Sequence, residues 1–111
     1  MNKIIGSTVA AVALSVSLAH AGGDAKAGKE KAAPCFACHG ETGVSPAPLY
    51  PHIGGQYATY LLHSLEAYKS GERKNAIMQG MVGALSTRDM QDLAAYFASL
   101  DGVLRDGSVN P

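Results

Sequence analysis

Cys35-Phe36-Ala37-Cys38-His39 is the stretch of this 111-residue chain from which the rest can be read. It has the C-x-x-C-H form by which c-type haem is attached to protein. Two thiols three positions apart each add across one haem vinyl group, giving two thioether bonds. The histidine that follows is then held beneath the iron, where its imidazole serves as the proximal ligand. The chain has two cysteines in all, so the motif takes every thiol it has.

Other uses of paired cysteines fit less well. A thioredoxin-like C-x-x-C sits in a βαβ context and lowers a thiol pKa at a helix N-terminus. Here no strand run precedes Cys35, and the segment before it reads as helix. That places the cysteines at a helix end, where the dipole does not favour a thiolate. A structural zinc site needs four ligands, and beyond the motif only His52 and His63 are at hand after residue 21. A disulfide across this spacing closes a very short loop and constrains the unfolded chain little.

The N-terminus explains how such a motif would be processed. Met1-Asn2-Lys3 is followed by an apolar run from Ile4 to Leu18, then by Ala19-His20-Ala21, an A-x-A cleavage pattern. This is the layout of a secretory signal peptide, and the run is too short for a membrane span. The expected organisation is a signal peptide over 1–21 and a single domain over 22–111. The expected location is the periplasm, with no membrane anchor after cleavage.

Residues 22–111 are enough for one domain but marginal for a core made of protein alone. There are two Phe and no Trp. A covalent haem supplies the missing apolar bulk, so the aromatic shortage and the motif agree. Without Lys3, eight Lys/Arg face nine Asp/Glu and form no basic cluster, which argues against nucleic acid.

Asp24 is a natural N-cap for a first helix over Ala25–Ala33, with Pro34 placed to disturb its last turn. Gly40 to Gly55 is rich in Gly, Pro and Ser and reads as a long loop. A second helix is expected from Gln56 to Ser70, closed by Gly71. Tyr57, Tyr60, Leu61, Leu65 and Tyr68 recur at helical spacing as its buried face, with His63 solvated on the other side. Glu72 to Leu85 reads as irregular. Ser86 caps a third helix, with Asp89 positioned to reach back. Leu93, Tyr96, Phe97 and Leu100 form its stripe, Gly102 is a stop, and the tail from Asp101 is polar and loose. Three helices, two long loops and no strands make an all-α domain.

The other face of the iron needs a partner. A thioether sulfur is soft, favours reduced iron and closes it to substrates. Met78 and Met81 lie together in the irregular stretch, and either satisfies the requirement. Met90 begins the third helix, and Met1 belongs to the signal.

With these residues in view, the chain resembles a class I cytochrome c, in the c4/c553-like branch of small bacterial cytochromes. The matching stretches are Cys35-x-x-Cys38-His39-Gly40, Gly43-Val44-Ser45-Pro46-Ala47-Pro48 and Ile53-Gly54-Gly55-Gln56. They continue through Tyr60-Leu61, Arg73-Lys74, Met78-x-x-Met81, Leu85-Ser86 and Leu93-Ala94-Ala95-Tyr96-Phe97-Ala98. The resemblance implies the class I cytochrome c fold, three main helices and long loops wrapped around one haem. It points to Met78 as the sixth ligand, and to the Pro48 carbonyl as acceptor of the His39 Nδ1–H. Cytochromes c4 carry two such domains in tandem, whereas this chain holds one motif.

The function expected is a one-electron carrier with His/Met axial ligation. Its donor and acceptor are redox proteins, such as a cytochrome bc complex, a dehydrogenase or a terminal oxidase. Tyr57, Tyr60, Arg73 and Lys74 are candidates to contact a haem propionate. No paired carboxylates or Ser/His/Asp set suggests an enzyme. The alternative is a haem c subunit of a larger dehydrogenase, for example a flavin-linked sulfide-oxidising enzyme. A ligand-binding or peroxidatic haem protein requires an open iron, against which the Met pair argues.

Overall fold

The computed structural model describes residues 4–6, 8–12 and 22–105. The Ala19-His20-Ala21 cleavage pattern lies outside them. Among the described residues the regular structure is helical: α1 (Ala25–Lys31), α2 (Ala33–His39), α3 (Ala58–Ser70), α4 (Ala76–Val82), α5 (Thr87–Ser99) and a 3-10 turn (Val103–Arg105). The all-α expectation holds, with five α-helices where three were expected.

The first extra helix comes from a break. Asp24 caps α1, its carboxylate accepting the Lys26 N–H at 2.9 Å. The run does not continue to Ala33. Pro34 has no N–H to give and its ring collides with the carbonyl four residues back, so an unbroken helix cannot pass through it. Proline is tolerated in a first turn, however, and Pro34 sits in the first turn of a new helix, α2. The cysteines therefore lie within a helix of their own, not at the end of α1.

The second extra helix is α4, in the stretch expected to be irregular. Asn75 is extended and its side chain accepts the Met78 N–H at 3.0 Å, opening the helix. The local readings of the other helices hold better. Gly71 ends α3 in the left-handed conformation at φ 80°. Ser86 and Asp89 form a reciprocal capping box at the start of α5, at 3.0 and 2.9 Å.

Helix α5 is the spine. Met90, Leu93, Ala94, Tyr96 and Phe97 are buried along it, and α1 and α3 both pack against it. Ala32 and Leu61 complete the buried cluster, with Phe36 and Ile53 packed on its edge. Tyr96 and Phe97 meet edge to face at 5.2 Å between centroids. Helix α1 approaches α5 closely because Gly28 has no side chain; a Cβ there overlaps the Asp92 carbonyl oxygen and lies 2.7 Å from the Tyr96 Cβ.

A polar clasp closes the same crossing. Asp92, only 3% exposed, accepts the Asp24 N–H at 2.8 Å and the Lys31 ammonium at 2.7 Å. Lys31 also reaches Asp89 at 2.9 Å. The Asp24 amide, then Lys31, hold the Asp92 carboxyl below its ordinary range. The Ser86 amide, then Lys31, lower Asp89 to about 2.

Candidate haem site

Helix α2 presents Cys35, Cys38 and His39 at i, i+3 and i+4, a spacing that sets side chains on neighbouring positions of one helix surface. Both cysteines are half-buried, free thiols. Cys35 is the third residue of α2, near a helix N-terminus, which by itself favours a thiolate. Burial outweighs this and pushes its thiol up, and the charge of a Cys38 thiolate pushes it further. Cys35 is thus poorly suited to act as a thiolate, for a reason different from the helix-end placement expected.

Phe36, between the two cysteines, ties α2 to the spine. Its ring lies 6.4 Å from Tyr96 and 6.3 Å from Phe97, edge-on to the latter. The motif is consequently joined to the edge of the buried cluster.

His39 is 7% exposed. Its Nδ1 lies 2.9 Å from the Pro51 carbonyl oxygen. A carbonyl can only accept, so Nδ1 carries the proton and the lone pair of Nε2 is left for a metal. The acceptor is Pro51, not Pro48, and the loop explains the correction. Ser45 Oγ donates to the Ala47 carbonyl at 2.6 Å, and the Tyr50 N–H donates to that same carbonyl at 3.1 Å. This turn leaves Pro48 exposed and brings Pro51 round beneath His39.

The loop is then pinned. Ile53 and Gly54 N–H both donate to the Gly43 carbonyl, at 2.8 and 2.9 Å, and the Gly55 N–H donates to Phe97 at the end of α5, at 2.9 Å. Gly54 packs so closely on Gly43 and Gly102 that no side chain fits between them. His52, exposed, uses its Nδ1 to accept the Ser45 N–H at 2.8 Å.

Of the two methionines, Met78 is half-buried and Met81 is 43% exposed. Val82, 1% exposed, is what α4 contributes to the buried interior. Tyr57 and Tyr60, expected on the buried face of α3, are 65% and 50% exposed, while Leu61 and Ala67 are the buried residues. His63 is exposed, as expected. Arg73 is held by its neighbours, its guanidinium 4.8 Å over the Tyr68 ring and 3.3 Å from Ser64 Oγ.

These residues fit a covalent haem. Two unpaired thiols one helical turn apart match two vinyl groups, and a buried imidazole with its Nε2 free follows directly. Tyr57, Tyr60, Ile77 and Met81 give α3 and α4 apolar surface for a large flat cofactor to cover. Sequence reasoning missed Pro51, one of three prolines in the same loop, and Asn75, whose only signal was its place just before an apolar run.

Residues 25–101 match the family model for cytochrome c. The chain is 48% identical over 99 residues to cytochrome c4 of Pseudomonas aeruginosa, covering 89% of this chain and 49% of the relative. It is 49% identical over 80 residues to cytochrome c-554(548) of Halomonas halodenitrificans, covering 69% of this chain and 96% of that one. A crystal structure of reduced cytochrome c4 from Pseudomonas stutzeri superposes with a TM-score of 0.69 at 46% identity, over 72% of this chain and 47% of the other. The chain belongs to the cytochrome c family, as a class I, c4-like member, and its cofactor is covalently bound haem c. It spans about half the length of the cytochrome c4 relatives it matches.

Proposed function

We propose that this protein is a periplasmic one-electron carrier whose haem is bound through Cys35 and Cys38 and ligated by His39 and Met78. The observation that carries the reading is the buried His39, its Nδ1–H given to Pro51 at 2.9 Å, beside two unpaired thiols on the same helix. Haem supplies the redox chemistry, a single electron gained or lost at iron. The protein's residues hold, orient and exclude. Thioether bonds from Cys35 and Cys38 would fix the cofactor to α2, and Phe36 joins α2 to α5. The Pro51 carbonyl sets the tautomer and the plane of the imidazole and raises its basicity as a ligand. A Met78 thioether would give the iron a soft ligand and so favour its reduced state. No side chain is required to move a proton.

Export is supported by the apolar run at 4–18 and the A-x-A pattern that follows it. No helix among the described residues is long and apolar enough to cross a membrane. The partners are redox proteins acting as donor and acceptor.

Denaturing electrophoresis with haem staining of the periplasmic fraction tests the reading. A stained band whose intact mass equals residues 22–111 plus one haem is the expected result. A Cys35→Ala, Cys38→Ala double variant that retained acid-acetone-resistant haem would refute the attachment. Co-purification with a stable, stoichiometric dehydrogenase would move the protein from free carrier to subunit.

A further inference from the structure

Helix α4 is poorly equipped to hold itself together. It has seven residues, fewer than a helix needs to be stable in isolation. Gly80 lies inside it, with nothing within 4 Å of the place a Cβ would occupy, so it adds flexibility without serving a close contact. Val82 is its one buried residue. Its other anchors are at its ends. The Lys69 ammonium donates to the Leu85 carbonyl just beyond the C-terminus. At the N-terminus stands Asn75.

Asn75 engages the ligand-bearing turn with both of its oxygens. The side-chain Oδ1 accepts the N–H of Met78 itself, at 3.0 Å. The backbone carbonyl accepts the N–H of Gln79, at 2.9 Å. Its extended backbone, φ −160° and ψ 115°, is the N-cap conformation that lets the side chain fold back in this way. Asn75 is exposed, and both of these hydrogen bonds go to α4. Its contribution is therefore concentrated on where the backbone of Met78 sits.

We infer that Asn75 is a positioning residue for the sixth iron ligand: by capping α4 at the Met78 N–H, it holds the thioether on the iron and limits how often that position opens. This rests on the assignment of Met78 as ligand proposed above. In a long, well-buried helix one cap would be a minor term. In α4 it is a large share of what keeps the helix formed.

Three variants of the haem-loaded protein, Asn75→Ala, Asn75→Ser and Met78→Ala, test it. The readouts are the weak red charge-transfer band of thioether-ligated ferric haem, the rate of cyanide binding and the midpoint potential. Asn75→Ala removes the acceptor and is expected to raise the cyanide-binding rate about 5-fold, the size of effect a lost N-cap gives. The band should weaken and the potential fall, and the thermal midpoint should drop by about 4–8 °C. Asn75→Ser restores a capping oxygen without adding charge and should return all three readouts to near wild type. If Asn75→Ala does not mature, Asn75→Gln replaces it, since the longer side chain caps poorly.

Met78→Ala separates the two ideas. If it loses the band while Asn75→Ala keeps a wild-type band, potential and cyanide rate, the ligand assignment stands and the positioning role is overturned. A Met78→Ala protein that kept the band would overturn both. Failure of Asn75→Ser to rescue would also count against capping as the mechanism.

Discussion

Phe36 and Phe97 meet edge-on with ring centroids 6.3 Å apart, joining the helix that carries the cysteines to the spine of the fold. Phe97 is buried and Phe36 only partly so. Phe97→Ala should cost about 3–5 kcal/mol in denaturant unfolding of the haem-bound protein. Phe36→Ala should cost less. A double-mutant cycle between them should return a coupling of roughly 0.5–1.5 kcal/mol, the range for aromatic pairs of this geometry. Strict additivity would mean that the contact contributes only through area.

Gly28 and Gly80 should respond to alanine in opposite directions. Gly28→Ala drives a methyl into the Asp92 carbonyl where α1 crosses α5, and is expected to destabilise by about 1–3 kcal/mol. Gly80→Ala meets open space inside α4 and should stabilise by roughly 0.5–1 kcal/mol. Thermal melting of the two variants side by side checks the pair. The second should also slow cyanide binding, because it firms the helix that carries Met78.

The Asp24–Lys31–Asp89–Asp92 clasp makes stability depend on pH at the acid end. Asp89 and Asp92 both have lowered folded-state values, so the unfolded chain binds protons more readily than the native one. Their contribution is present above the ordinary carboxylate value of 3.8 and is lost as pH falls toward about 2. Lys31 is shifted upward, first by its bond to Asp92, so its share is complete below its ordinary 10.5 and lost above the raised value. Asp92→Asn should flatten the acid limb of a stability–pH curve. An unchanged slope between pH 4 and pH 2 would show that the clasp is not responsible.

Met78 and Met81 should separate cleanly on substitution. Met78→Ala is expected to abolish the red band, lower the potential and admit cyanide or carbon monoxide. Met81→Ala should keep the band, with any loss of stability coming from the apolar surface Met81 offers the haem. The reverse pattern would transfer the ligand role to Met81.

What was legible in the sequence was what is decided locally. Ser86 and Asp89 announce their capping box because both partners lie within four residues. Gly71 marks the end of α3 because a left-handed residue is needed there. The motif at Cys35, Cys38 and His39 is chemistry written into adjacent positions. The break at Ala32 was harder, since a proline can disturb the end of one helix or begin the next. Helix α4 was missed because Gly80 and Gly83 give it the composition of a loop, and its cap at Asn75 outweighs that composition. Choosing among Pro46, Pro48 and Pro51 required knowing how the Ser45–Ala47 turn folds. Tyr57 and Tyr60 follow helical spacing as faithfully as Leu61 does, but periodicity cannot tell a face covered by protein from one left uncovered.

The closure of the Gly40–Gly55 loop onto Phe97 and Gly102 has a consequence for the order of events at synthesis. Beyond its own bonds to Gly43, the loop that carries Pro51 is held by residues more than 40 positions further along the chain. Contacts so distant in sequence form late. Cys35 and Cys38, by contrast, precede the loop and α5 in the chain, and a thiol needs no finished fold in order to be reached. A chain emerging N-terminus first thus offers its thiols before the proximal side can shut.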